Sequence, residues 1–249
     1  MKQLVTIGLA LTALCWSGIL SPAAASAREC GLYDGPSRLD VLKNQEHRFL
    51  NKIQTSPGNI QSYCQLSHIH YKIAANLQEN LRDHEYAKCI EFADAAIQRN
   101  AKAGAAYFIK ALCMGKRGEL NGVWQSLSII RDFENNMKIA AQLDPGLDFG
   151  GPNRALGRYY FKLPRLLGGS IDDAISNLET AMTYGPDYWE NLLYLGEAYF
   201  DDDRYQKAHT LLSRFLQVSQ AMPQNPDMTR FRDHAREILN EIKAKTGSL

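Results

Sequence analysis

Residues 150–216 contain the pattern Asn153-x-x-Leu156-Gly157-x-x-Tyr160, Ala174-x-x-x-Leu178-x-x-Ala181, and then contain it again as Leu192-x-x-Leu195-Gly196-x-x-Tyr199, Ala208-x-x-x-Leu212. Ala174 and Ala208, which hold the same place in the two copies, lie 34 residues apart. Large residues recur at spacings of three and four, which indicates helices, and the small residues between them allow two helices to pack closely. The stretch therefore predicts two consecutive helix–turn–helix units.

A period of about 34 residues with these residue types is that of the tetratricopeptide repeat. We therefore expect an all-α protein, a right-handed tetratricopeptide-repeat superhelix of about four helix pairs with flanking helices. The sequence contains no nucleophile elbow, no zinc-protease helix and no phosphate-binding glycine loop. These observations favour a non-enzymatic binding protein without a cofactor, a catalytic residue or a metal ligand.

The N-terminus has the organisation of a secretory signal peptide. Lys2 precedes the apolar run Leu4–Leu20, and Ala25-Ser26-Ala27 supplies a cleavage site. A membrane anchor is the alternative, but the run is at or below the roughly 17–25 residues that span a bilayer. Cys15 lacks the small preceding residue of a lipid-attachment site, so we expect no lipid anchor. Residues 1–27 are predicted to be a signal peptide and the mature protein to be periplasmic.

The mature chain is electrically balanced. The sequence has 28 basic and 27 acidic side chains, and Lys2 is the one charged residue among residues 1–27. A net charge near zero argues against binding to nucleic acid or to anionic lipid. The remaining chain is long enough to bury a sizeable core as one solenoid or two short domains.

Four cysteines remain after cleavage, and an even number in an exported chain favours disulfides, with three possible connectivities. Cys89 lies near the start of one predicted helix and Cys113 near the end of the next, so the two would lie at similar heights in an antiparallel pair. We therefore predict the pair Cys89–Cys113 and, by elimination, the pair Cys30–Cys64. His68 follows Cys64 by four residues, but a disulfide is the more common state of an exported cysteine, and no metal site is expected.

Residues 28–149 are predicted to form an irregular half with two lengthened hairpins. An opening helix spans residues 38–55 and stops at Ser56-Pro57-Gly58. The first hairpin pairs a helix from Ile60 to about Glu79 with a helix over residues 86–100. The second begins near Lys102, turns at residues 116–118 and closes with a long helix over residues 122–144.

Residues 150–220 are predicted to form two regular repeats, and residues 221–249 a capping region with a helix from about Pro226 to Lys245. Asp144–Gly151 is rich in proline and glycine and is the predicted boundary between the two halves. The third repeat contains five residues more than the fourth between its two helices. Leu163–Ser170 is therefore predicted to form a surface loop. Such a loop either contacts a partner or lies on the surface without a role in binding.

The segment Gly150-Gly-Pro-Asn-Arg-Ala-Leu-Gly-Arg-Tyr-Tyr-Phe-Lys-Leu-Pro164, followed by Asp172-Asp-Ala-Ile-Ser-Asn-Leu-Glu-Thr-Ala181, resembles the T component of TRAP transporter systems. That family consists of exported tetratricopeptide-repeat proteins. The resemblance implies a non-enzymatic role beside the periplasmic solute-binding subunit of a transporter for organic acids. Members are often lipoproteins, and this chain departs from them at its N-terminus.

The first helix of each pair lines the inner face of such a superhelix, so its outward residues are candidates for contact with a partner. These candidates are His68, Tyr71, Phe108, Arg154, Arg158, Phe161, Lys162, Glu197 and Phe200. Arg154, Arg158 and Lys162 follow one helical stripe at i, i+4 and i+8. A carboxylate ligand or an acidic peptide would relieve the repulsion among these three cations. The alternative is that Glu190 and Glu197 of the next repeat neutralise them.

Two functions are consistent with these observations. The first is a TRAP-associated component that docks a solute-binding protein and binds or passes an organic acid. The second is a general periplasmic adaptor for envelope or secretion assembly that binds extended peptides. Self-association would use the N-terminal hairpins or the loop at residues 163–170, and nucleic acid is not an expected partner.

Overall fold

The computed structural model describes residues 30–223 and 225–247 of the protein. Within these ranges it contains ten α-helices and no strand. They are α1 (Leu39–Thr55), α2 (Ile60–Ala75), α3 (Glu79–Arg99), α4 (Gly104–Asn121), α5 (Val123–Leu143), α6 (Gly151–Lys162), α7 (Ile171–Tyr184), α8 (Trp189–Asp201), α9 (Tyr205–Ser219) and α10 (Pro226–Thr246). None of these helices combines the length and the apolar character that crossing a membrane requires. The predicted signal peptide, residues 1–27, lies outside the described residues.

The helices stack in chain order as pairs. α2 packs with α3, α4 with α5, α6 with α7 and α8 with α9, and each pair also packs on the next. α1 packs on α2, and α10 packs on α9 and α8 in the way that α8 packs on α7 and α6. The prediction of four helix pairs with flanking helices is confirmed, and α10 takes the place of the first helix of a further pair.

Two glycines of the repeated pattern allow the helices of a pair to touch. A Cβ atom built on Gly157 would lie 2.5 Å from Cγ of Leu178, and one built on Gly196 would lie 2.8 Å from Cγ of Leu212. These separations are much shorter than van der Waals contact. The backbone of α6 therefore approaches α7, and that of α8 approaches α9, because no side chain stands between them.

Local capping agrees with the observed helix starts. The Asn59 side chain accepts a hydrogen bond from the backbone N–H of Ser62 at 2.9 Å, and the Ser170 side chain accepts one from Asp173 at 3.2 Å. α10 begins with Pro226, and proline is favoured in the first turn because the N–H that it lacks has no partner there.

The first predicted hairpin is wrong in the position of its extra length. α2 ends at Ala75 instead of near Glu79. Asn76 is the C-cap residue, and its Nδ2 donates to the carbonyl oxygens of Ser37 and Lys72, each at 2.9 Å. α3 then begins at Glu79, so the long helix of this hairpin is the second one.

The second predicted hairpin is wrong in the position of its turn. α4 continues through residues 116–118 to Asn121, because Arg117 Nε and Asn121 Nδ2 both donate to Asp83 Oδ1 on α3, at 2.9 and 3.0 Å. The turn is at Gly122, whose φ of 87° lies in a region that favours glycine. The long closing helix, α5, is confirmed.

The connection between α5 and α6 has an unusual backbone. Asp148, Phe149 and Gly150 have φ values of 49°, 57° and 85°, three consecutive residues with positive φ. One apolar cluster nevertheless contains Met137 of α5 and Leu156 of α6. The hydrophobic core is therefore continuous across this connection, and the division of the chain into two halves there stays a prediction.

Both predicted disulfides are confirmed. The Cα atoms of Cys30 and Cys64 are 5.6 Å apart, and those of Cys89 and Cys113 are 6.4 Å apart. All four cysteines are buried. The second disulfide joins α3 to α4, whereas the first joins the segment before α1 to α2.

Leu163–Ser170 forms a short surface loop, as predicted. It contains one 3-10 turn, Arg165–Leu167, and Gly169 N–H donates to the carbonyl oxygen of Pro164 at 3.1 Å. Leu166 is 99% exposed at its tip. Contact of this loop with a partner stays a prediction.

Candidate binding cleft

The inner face of α2 is covered by the chain itself. Residues 31–37, which we call the N-terminal strap, lie along it. Tyr33 N–H donates to His68 Nδ1 at 2.8 Å, and Leu32 of the strap packs in the same apolar cluster as Tyr71. His68, a predicted partner-binding residue, therefore contacts the N-terminal strap, and Tyr71, another one, packs against the same apolar cluster as Leu32 of the strap.

Phe108 lies in the core instead of on the inner surface. It is 2% exposed and shares an apolar cluster with Ile109, Met137 and Leu156. Its ring occupies the space beside Gly151, where a Cβ atom would lie 2.9 Å from Cζ of Phe108. This buried position contradicts the expectation that Phe108 contacts a partner.

Arg154 is a buried, fully paired member of the predicted cationic stripe. Its Nε lies 2.9 Å from Glu190 Oε2, its Nη2 donates to Asp148 Oδ2 at 2.5 Å, and its guanidinium lies 4.5 Å from the ring centre of Tyr188. Arg154 is 6% exposed. Burial raises the pKa of the Glu190 carboxyl above its ordinary value, although Arg154 opposes this shift. Arg154 therefore balances a partly buried carboxylate and is not exposed to a ligand.

Arg158 and Lys162 differ from Arg154 in their exposure. Arg158 pairs with Glu197 and lies 4.3 Å from the ring centre of Tyr194 and 5.4 Å from that of Phe161. Burial raises the pKa of Tyr194 to about 12, so this ring stays neutral beside the guanidinium. Lys162 is exposed, with its ammonium 5.2 Å from the Phe161 ring. The ion pairs with Glu190 and Glu197 that the alternative interpretation expects are both present.

A cleft with a volume of about 870 Å³ lies between α6, α8 and α10. It is lined by Arg158, Glu197, Asn225, Pro226, Thr229, Arg230, Phe231, Asp233, His234 and Glu237. Phe231 supplies apolar surface and packs 5.3 Å from Trp189, measured between ring centres. The cleft therefore offers charged groups of both signs together with an aromatic side chain.

Glu197 connects the three helices of this cleft. It is 5% exposed, and its two carboxylate oxygens contact Arg158 of α6 and, at 3.2 Å, Nε2 of His234 of α10. The half-exposed His234 therefore links α10 to the inner face on which α6 and α8 lie. Of the predicted site residues, Arg158 and Glu197 come together in the cleft. Phe200 does not line it, and contacts Tyr205 and Lys245 instead.

The residues of α10 were missed by the sequence-based site prediction. The sequence predicts this helix as a cap and assigns it no contact with a partner. The sequence does contain a signal for this role of α10. The helix directly follows the fourth helix pair, which is the place of a first helix in the next repeat. Such a helix also contributes to the inner face.

The His68 contact predicts a pH dependence of stability. Burial, and to a smaller degree the charge of Lys72, lower the pKa of His68 to about 3. The unfolded chain then binds more protons below the ordinary histidine pKa, so stability is lost as the pH falls from about 6.5 towards 3. His68→Gln keeps an acceptor for Tyr33 N–H and does not titrate. We expect it to remove about 1 kcal/mol of the loss of unfolding free energy between pH 7 and pH 5.

Urea unfolding followed by circular dichroism at the two pH values measures this effect. His47→Gln, an exposed histidine on α1, is the matched control and should leave the difference unchanged. His70 keeps part of the pH dependence in both variants, because burial lowers its pKa as well. Equal pH dependence of stability in His68→Gln and in the unaltered protein would contradict the assignment of this effect to His68.

The tetratricopeptide repeat family matches residues 166–221. No curated protein sequence matches the chain. Among solved structures the chain is similar to TTC0263, a thermophilic TPR protein of Thermus thermophilus, with a TM-score of 0.50 and 16% identity over 78% of this chain and 98% of that chain. YrrB, a TPR protein with an unusual peptide-binding site, matches with a TM-score of 0.35 and 13% identity over 76% of this chain and 97% of that chain. Residues 166–221 therefore carry a tetratricopeptide repeat, and the stacked helix pairs have the all-α fold of a tetratricopeptide-repeat superhelix.

Proposed function

We propose that the protein is a non-enzymatic scaffold whose cleft between α6, α8 and α10 binds a segment of a protein partner. One observation carries this proposal. The strap covers the inner face of α2, whereas the inner face formed by α6, α8 and α10 holds a cleft of about 870 Å³. A surface of that size and concave shape suits an extended segment of another chain.

The chemistry of the cleft favours a peptide over a small organic acid. The carboxylates of Glu190 and Glu197 already neutralise Arg154 and Arg158, so an added carboxylate finds little uncompensated positive charge there. A peptide offers main-chain donors and acceptors and apolar side chains together. Phe231 suits its apolar groups, and the exposed Glu237 and Thr229 suit its polar ones.

We propose that the protein acts in the periplasm and that the partner is the solute-binding subunit of a TRAP transporter. The sequence resemblance of residues 150–164 and 172–181 to the T component supports the choice of partner. The two disulfides support export, because structural disulfides persist mainly in oxidising compartments. A general adaptor for envelope or secretion assembly is the competing identity and is distinguished by the same experiment.

The test is an affinity capture with the tagged mature chain, residues 28–249, from the exported fraction of its own cells, with quantitative mass spectrometry. Thr229→Arg/Glu237→Lys fills the cleft with two long cations. We expect it to lower recovery of the specific partner about tenfold, which corresponds to about 1.4 kcal/mol. Glu241→Lys makes the same charge change as the Glu237→Lys part of this variant, one turn further along α10 and outside the cleft lining, and should leave recovery unchanged.

The identity of the captured protein decides between the two roles. A solute-binding protein that is lost with the cleft variant supports the transporter role. Envelope-assembly proteins lost in the same way support the adaptor role and remove the transporter role. Equal recovery by the cleft variant, with unchanged helix content, contradicts the cleft as the binding site.

A further inference from the structure

The face of α2 that the N-terminal strap covers is built to hold a peptide main chain. Five polar residues follow this face at spacings of four, three, four and four, so they form one helical stripe. They are Gln61, Gln65, His68, Lys72 and Asn76. Each of them makes a hydrogen bond to a residue of the strap.

Most of these hydrogen bonds end on main-chain atoms. Gly31 N–H donates to Gln61 at 2.7 Å, Gln65 donates to the carbonyl oxygens of Gly31 and Leu32 at 2.9 and 3.2 Å, and Asn76 donates to the Ser37 carbonyl at 2.9 Å. The contact of Lys72 with Ser37 Oγ, at 3.1 Å, is one to a side chain. Main-chain recognition does not depend on side-chain identity, so another non-helical segment can satisfy the same groups.

Two adjacent side chains of the strap supply its apolar anchors. Leu32 packs against the cluster that contains Phe108 and Tyr71, and Tyr33 joins a different cluster with Ile69 and Ile73. Tyr33 is 7% exposed. Because successive residues of an extended chain point in opposite directions, one ligand fills both clusters with an apolar residue followed by an aromatic one.

The strap is held at both ends. The Cys30–Cys64 disulfide fixes its start to α2, and α1 follows its end. A ligand tethered in this way has an effective concentration on the order of millimolar. A free peptide of the same chemistry therefore cannot compete while both tethers are present.

We propose that this face of α2 is a peptide-binding site, that the strap is its resident ligand, and that a free peptide with an adjacent aliphatic and aromatic pair binds there once the strap is displaced. This site is separate from the cleft at α10. The probe below contains no cellular partner, so the result does not depend on whether the proposed function is correct.

The probe is a fluorescein-labelled peptide of residues 30–38 with Cys30→Ser, and binding is measured by fluorescence polarisation. The strap-displaced protein is the full mature chain with Cys30→Ser/Cys64→Ser and Leu32→Asp/Tyr33→Asp. We expect it to bind the probe at least about tenfold more tightly than the unaltered protein does. A probe that carries Leu32→Asp/Tyr33→Asp is the matched control and should not bind.

The stripe on α2 gives the second arm of the test. Gln65→Leu/His68→Leu, added to the strap-displaced protein, removes a donor and an acceptor and should weaken probe binding about tenfold. Affinity that is unchanged by these substitutions overturns the proposal. Absence of probe binding by a strap-displaced protein that retains its helix content overturns it as well.

A milder variant covers the case in which the strap-displaced protein fails to fold. Cys30→Ser/Cys64→Ser removes one tether and leaves the strap sequence intact. Hydrogen exchange of the Gly31 and Tyr33 amides, which donate to Gln61 and His68, should accelerate several-fold when the unlabelled probe is added at about millimolar concentration. Equal exchange rates with and without the probe overturn the proposal.

Discussion

Removing the Cys89–Cys113 disulfide is expected to lower the free energy of unfolding by about 2–4 kcal/mol. Both cysteines are 0% exposed, and their sequence separation is 24. The bond limits the freedom of the unfolded chain, and it joins α3 to α4 inside the cluster that contains Ile109 and Met137. Loss of the bond therefore loosens the two lengthened hairpins relative to each other.

The measurement separates the crosslink from the packing of the sulfur atoms. In a Cys30→Ser/Cys64→Ser background, a reductant breaks the Cys89–Cys113 bond and leaves both sulfur atoms in place. Urea unfolding with and without the reductant then reports the crosslink alone. Cys89→Ala/Cys113→Ala in the same background adds the loss of packing. Identical urea midpoints for the oxidised and reduced forms would show that the bond does not stabilise the fold.

Arg154→Met is expected to lower the free energy of unfolding by about 2 kcal/mol, because it leaves the partly buried Glu190 carboxylate without its counter-charge. Methionine keeps most of the apolar stem and removes the contacts to Glu190, Asp148 and the Tyr188 ring. The folded pKa of Glu190 is already raised by burial, and the loss of Arg154 raises it further. A group with a raised folded pKa loses its stabilising contribution as the pH rises. The destabilisation should therefore be larger at pH 7 than at pH 4.5.

Two further variants control this result. Lys162→Ala removes an exposed cation of the same helix and should change stability by less than about 0.5 kcal/mol. Arg154→Met/Glu190→Gln should recover part of the loss, which a double-mutant cycle quantifies. A loss below about 1 kcal/mol for Arg154→Met would contradict a stabilising role of this ion pair. The practical consequence is that lost partner binding in an Arg154 variant reports damage to the fold, whereas Lys162 and the cleft residues of α10 are suitable probes of binding.

The helix pairs could be predicted because each of their contacts is local in the chain. Gly157 meets Leu178, and Gly196 meets Leu212, within a single repeat. A repeat packs mainly on its neighbours, so the same residue types return at the same spacing and the pattern is visible without a structure. The Cys89–Cys113 pair could be predicted for a related reason, because these cysteines lie in successive helices, and the Cys30–Cys64 pair then follows by elimination.

The errors in helix bounds have a physical cause that is not periodic. The end of α2 depends on a hydrogen bond from Asn76 to Ser37, far away in the chain, and the continuation of α4 depends on the contact of Arg117 with Asp83 of α3. Helix propensity around residues 72–79 and 116–118 is compatible with either outcome. Contacts between helices decided these bounds.

The amino-acid sequence alone determined the all-α class, the register of the helix pairs and the cysteine pairing, because these follow from spacing along the chain. The tertiary structure decided which part of the inner face is covered and which holds a cleft. Tyr33 reaches His68 across 35 positions and Arg158 reaches Glu197 across 39, and His234 contacts the same Glu197 carboxylate. Charge and burial at such contacts depend on how the helices stack. The stripe that suggested an anion site therefore contains two arginines, Arg154 and Arg158, that are already paired with carboxylates.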